Sequence, residues 1–93
     1  MIKVEIKDRE ISIKGHAMYD DFGKDIVCAA VSSIVITTVN GIERIDKEAI
    51  SYNENPFSLK VLKQNDVVNT LIENMISLLK ELERDYPDNI KVL

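Results

Sequence analysis

Two side chains in this sequence stand out for the chemistry they can do together: the sole histidine, His16, and the sole cysteine, Cys28, twelve positions later. A thiol and an imidazole suffice for nucleophilic acyl transfer, in which the thiolate attacks a carbonyl and the imidazole takes up and returns the proton. Each lies in a frame of small residues, Gly15-His16-Ala17 and Asp25-Ile26-Val27-Cys28-Ala29-Ala30-Val31-Ser32. Other chemistries have less support. Zinc takes three or four ligands, and a chain with one imidazole and one thiol makes a metal site improbable. No glycine-rich phosphate loop is present, so no cofactor is expected.

The elements that must position the pair follow from hydrophobic periodicity. In Met1 to Lys7, Ile2, Val4 and Ile6 alternate with Lys3, Glu5 and Lys7, the period of a half-buried strand, and Ile11 and Ile13 continue it beyond Asp8-Arg9-Glu10. This predicts a hairpin whose second strand delivers Gly15 and His16 at its end. From Ile26 to Val39 β-branched residues favour a strand by propensity. Length favours a helix, with Asp25 as N-cap and Asn40-Gly41 as its stop. This helix is apolar nearly all round, through Val27, Val31, Ile34 and Val35, and should meet the sheet on one side and either a second helix or a partner subunit on another. Ala49 to Tyr52 and Phe57 to Leu62 read as strands about an Asn53-Glu54-Asn55-Pro56 turn. Asn65 or Asp66 then caps a second helix carrying Val68, Leu71, Ile72, Met75, Leu79 and Leu82 on one stripe. Tyr86-Pro87 ends it, and Ile90 to Leu93 adds a last strand. The expectation is a single α+β domain over residues 1–93, of order β-β-α-β-β-α-β, with a mostly antiparallel sheet and both helices packed on it.

With Asp25 as N-cap, Cys28 falls at the third helical position, where unpaired backbone N–H groups and the positive end of the helix dipole favour a thiolate. The same N–H groups are candidates for receiving an oxyanion, with Ala29 and Ala30 leaving the approach open. Asp25 is the natural group to orient His16, although a carboxylate that caps the helix fully is not free to hold an imidazole; Asp20 and Asp21 are the substitutes. The loop Met18-Tyr19-Asp20-Asp21-Phe22-Gly23 reads as a cover that folds over a bound peptide, with Tyr19 and Phe22 as pocket walls and Gly23 as hinge. The plainer reading is that Tyr19 and Phe22 plug the edge of the core, that Gly15 and Gly23 only permit turns, and that Cys28 is an inert core thiol.

The motif that runs from Gly15-His16-Ala17 through Gly23 to Asp25-Ile26-Val27-Cys28-Ala29-Ala30-Val31-Ser32 closely resembles the bacterial ribosomal-processing cysteine protease family, Prp. The resemblance implies a cysteine endopeptidase that removes a short amino-terminal extension from one large-subunit ribosomal protein, the twenty-seventh in bacterial numbering. It implies a homodimer with a Cys-His dyad, carried here by Cys28 and His16. Gly15 and Ser32 bound the motif and join Tyr19, Phe22 and Gly23 as expected substrate-binding residues.

Composition sets the remaining expectations. A chain of 93 residues makes one domain of marginal stability as a monomer, since so small a fold buries only about 60 to 65% of its unfolded surface. A lone cysteine excludes an internal disulfide, and no basic-then-apolar leader is present, so a cytoplasmic protein is expected. The apolar run from Ile26 to Val39 is short of the about 20 residues a membrane span needs, so no membrane role is expected. A net charge of −4 argues against direct nucleic-acid binding and suits a basic substrate. The competing functional classes are a non-catalytic module that binds ribosomal proteins or assembly intermediates, and a redox switch through a sulfenic acid at Cys28, which has no second cysteine to resolve it.

Overall fold

The structure, a computed structural model, describes residues 1–15, 25–54 and 56–93. Strands β1 (Ile2–Lys7) and β2 (Glu10–Lys14) form the expected hairpin. Its turn is tighter than the sequence suggested: Glu10 pairs with Lys7, and Asp8-Arg9 alone make the bend, with Asp8 at φ 54°. Helix α1 (Ile26–Ile45) follows, then β3 (Ile50–Glu54), β4 (Phe57–Val61), α2 (Asp66–Asp85) and β5 (Ile90–Val92). The predicted element order therefore stands.

The strands lie in the order β3-β4-β2-β1-β5. All neighbours are antiparallel except β1 and β5, which are parallel, with Ile2 beside Ile90 and Val4 beside Val92. Each helix is thus a crossover that carries the chain to a non-adjacent strand. Alternation decides which face is covered. Ile2, Val4, Ile11, Leu59, Val61, Ile50 and Ile90 are buried in one cluster with Val27, Val31, Val35, Val39 and Ile42 of α1 and Val68, Ile72, Met75 and Leu79 of α2. Both helices pack on that face and on each other. Sheet and second helix share the apolar circumference of α1.

Helix α1 passes through the expected stop at Asn40-Gly41 and ends at Asp46, whose N–H donates to the Ile42 carbonyl. Its 20 residues also reach membrane-spanning length, longer than the run read from sequence. In this fold its inner stripe, Val27 to Ile42, is buried against the sheet and α2, as for a core helix. Helix α2 starts at the N-cap Asn65, whose side-chain oxygen accepts from the N–H groups of Val67 and Val68. Strand β3 runs on to Glu54, so the predicted turn is shorter than its four residues.

Candidate active site

The site begins at a helix cap. Asp25 has an extended backbone, φ −73° and ψ 105°, and its Oδ1 accepts from the N–H groups of Val27 at 2.9 Å and Cys28 at 3.0 Å. One oxygen, Oδ1, serves both donors of the cap. The cap places Cys28 at the third helical position, as predicted. There it is half-buried, packed against the core at the positive end of a 20-residue helix. Among the described residues it is the sole cysteine.

Of the N–H groups at the helix start, those of Val27 and Cys28 are bonded to the Asp25 side chain, and that of Ala29 donates to the Asp25 carbonyl at 3.1 Å. The Ile26 N–H is the first-turn donor that Asp25 does not take up. Ala29 is exposed, as an open approach requires.

Gly15 closes β2 at φ +91°, a conformation that L side chains rarely adopt, and a Cβ there would run into the Met1 carbonyl oxygen. Its identity is thus dictated by the backbone and by the amino-terminal strand beside it. His16, Tyr19, Asp20, Asp21, Phe22 and Gly23 lie outside the described residues. The structure brings together Asp25 and Cys28, and places Ser32 one helical turn beyond Cys28, about 6 Å along the axis.

Ser32 opens onto a feature that sequence reasoning missed. A groove of about 360 Å³ runs between α1 and the sheet, with Ile13, Val35, Val39 and Phe57 among its apolar lining and Ser32, Asn40 and Glu54 as polar members. Cys28, Ser32, Val35 and Val39 recur at helical spacing, so the groove extends along α1 from one turn past the thiol. Its far end is acidic. Tyr52 lies there with its hydroxyl 3.5 Å from Glu43 Oε1. The Glu43 carboxylate foremost, with burial and Glu54, holds that phenol above its usual 10.0. Residues from β2, α1, β3 and β4 meet in this groove only through the crossover, so no local pattern announces it. Among the described residues, no group of three His, Cys, Asp or Glu side chains is placed to hold a metal ion.

A thiol capped into the first turn of a helix, half-buried and one turn before a groove between that helix and the sheet, is the equipment of a cysteine protease. The comparisons agree: the family model for cysteine protease Prp matches residues 1–91, and the chain belongs to that family. It is 31% identical to the ribosomal processing cysteine protease Prp of Mycoplasma genitalium, over 99% of this chain and 94% of that relative. The Bacillus subtilis protein of the same name is 36% identical, over 84% of this chain and 78% of its own. The crystal structure of the Staphylococcus aureus processing protease with a covalently linked product peptide superposes with a TM-score of 0.85 at 28% identity, covering 99% of this chain and 97% of that one.

Proposed function

We propose that this protease removes the amino-terminal extension of a large-subunit ribosomal protein, the twenty-seventh in bacterial numbering, by acyl transfer through Cys28 and His16. The observation that carries the reading is the position of Cys28, capped by Asp25 and leading into the groove. The covalently linked product peptide of the Staphylococcus aureus relative supports a covalent route.

In the reading proposed, the Cys28 thiolate attacks the scissile carbonyl and an Sγ–C bond forms as the carbonyl π pair moves to oxygen. That pair returns, the C–N bond breaks, and the leaving amine takes its proton from His16. Water then attacks the thioester, gives a proton to His16, and the Sγ–C bond breaks to release the new carboxyl group. The positive end of α1, with the Ile26 N–H, favours the transient oxyanion. Asp25 orients His16, with Asp20 and Asp21 as the alternatives, and Tyr19, Phe22 and Gly23 cover the bound peptide. Ser32 borders the peptide, and the about 12 Å between Ser32 and Asn40 along α1 takes three to four residues at about 3.3 Å each. Gly15, at the end of β2, borders the peptide as well.

The protease acts as a homodimer in the cytoplasm, where ribosomes are assembled. Ile26 and Ile45 are 52% and 46% exposed on α1, apolar surface that a second copy would cover. Intact-mass measurement tests the main reading. The unprocessed ribosomal protein of the same organism is incubated with the wild-type enzyme and with Cys28→Ala. Loss of a short amino-terminal piece with the wild type alone is expected. An unchanged mass with the wild type, or cleavage by Cys28→Ala, overturns it.

A further inference from the structure

The sheet face opposite the helices carries a charge pattern that the cleavage site does not use. Its exposed positions hold five lysines, Lys3, Lys7, Lys14, Lys60 and Lys91, against two acids, Glu5 and Glu10. That is a net +3 on a chain of net −4, so the rest of the molecule carries −7. The charge that argues against nucleic acid for the whole chain is not the charge of this face.

Register sharpens the asymmetry. At one end of the sheet, Lys7 stands beside Glu10 and Glu10 beside Lys60, so signs alternate across three strands. At the other end, Lys3 stands beside Lys14 on one flank and Lys91 on the other, three like charges in one row. Neighbouring strands are about 4.8 Å apart, so the row spans about 10 Å. Like charges directly opposite each other destabilise a sheet. None of the three is in an ion pair among the described residues. An anion lying across the row would relieve their repulsion.

The remaining exposed positions choose among anions. Within the strands they are Ser51, Asn53 and the half-exposed Ser12 and Ser58, with no aromatic side chain among them; the exposed apolar side chains Met1, Leu62 and Leu93 sit just beyond the strand ends, at the rim of the face. No ring is present on which an unpaired base could stack. Lysines among small hydroxyl and amide side chains suit phosphate and ribose, the groups a duplex RNA presents along its outside.

We infer that the bare sheet face docks on the phosphate backbone of double-helical RNA through Lys14, Lys3 and Lys91. This rests on the reading of the substrate as a ribosomal protein, because such a protein is met beside ribosomal RNA. Docking of this kind would hold the enzyme on the particle while α1 and the groove, on the other side of the sheet, face the protein to be cut.

The test is fluorescence anisotropy with a labelled RNA duplex, read over a salt series from about 50 to 200 mM. It compares the wild type, a Lys3→Gln, Lys14→Gln, Lys91→Gln triple variant, and a control triple variant of equal charge, Arg44→Gln, Lys47→Gln, Lys80→Gln. The wild type and the control are expected to bind alike, and the sheet-face variant at least about tenfold more weakly, its salt slope smaller by about two to three. Absence of wild-type binding at low salt, or equal weakening by both variants, overturns the inference. A sheet-face variant that instead loses self-association in sedimentation would assign the face to the acidic side of a second copy and would also overturn it. Anisotropy reads RNA alone, so failure of the wild type to cut a ribosomal precursor would count against the processing reading and not against this one.

Discussion

Asp25 can be asked two questions by two substitutions that change different properties. Asp25→Ala removes both the oxygen that accepts from Val27 and Cys28 and the negative charge at the start of α1. Loss of an N-cap side chain costs about 1 kcal/mol, and loss of a favourable charge at the helix dipole about 0.3 to 1 kcal/mol more. At about 4 to 8 °C per kcal/mol for a domain of this size, the melting temperature should fall by about 10 °C. Asp25→Asn keeps an oxygen in place and loses only the charge, so a fall of about 4 °C is expected. Catalysis should rank the variants differently. If the carboxylate orients His16, Asp25→Asn should lower kcat by about two orders of magnitude with KM nearly unchanged, because what is lost is alignment of the imidazole and not peptide binding. Thermal melts and steady-state cleavage of a precursor peptide measure both. Asp25→Asn at wild-type kcat would refute the orienting role and leave Asp25 as a cap alone. Asp25→Ala melting with the wild type would refute the cap energetics from which the position of Cys28 is argued.

Other perturbations reach different parts of the molecule. Gly15→Ala should lower stability by about 2 kcal/mol or more through its positive φ and the Met1 carbonyl, and chemical denaturation would show it as a lower midpoint at unchanged slope. Met75→Ala, at a side chain with no exposed surface, should cost about 2 to 5 kcal/mol by the same measurement. The Lys63 bridge to Asp46 at 3.2 Å ties the end of α1 to the segment after β4 and makes stability depend on pH at both extremes. The Asp46 carboxyl is held below its usual 3.8, first by the Glu48 N–H and then by Lys63, so its contribution is complete above that pH and disappears as the pH falls through the lowered value. The Lys63 ammonium is held above 10.5, first by its hydrogen bond to Asp46, so its contribution is complete below that pH and disappears as the pH rises through the raised value. Thermal melts against pH should find the difference between wild type and Asp46→Asn shrinking as the pH falls from 3.8 through the lowered value, and a difference that does not shrink over that fall would exclude this linkage.

What was legible in the sequence depended on how far apart in the chain the cooperating residues lie. Alternation in β1 and the stripe of α2 are local patterns, and both survive intact. The start of α1 was legible for the same reason, since Asp25 and Cys28 are three residues apart and one cap geometry links them. Its end was not. Asn40-Gly41 is a strong local stop, yet the helix continues because Ile42 is fully buried beyond it, worth about 1.5 to 3 kcal/mol. A glycine within a helix costs only about 1 kcal/mol, so burial outweighs the stop signal. The groove escaped sequence reading altogether: Ile13, Val35 and Phe57 come from three elements that meet only when the crossover places α1 over the sheet. Charge follows the same logic. Lys3, Lys14 and Lys91 are scattered over nearly the whole chain, and composition averages them into an acidic total. They become a row because β1 pairs with β2 through a local turn and with β5 through a parallel contact that α2 must bridge. A property that depends on such a long-range pairing, whether groove or charge row, has no counterpart in a window of sequence; the cap that sets the thiol does.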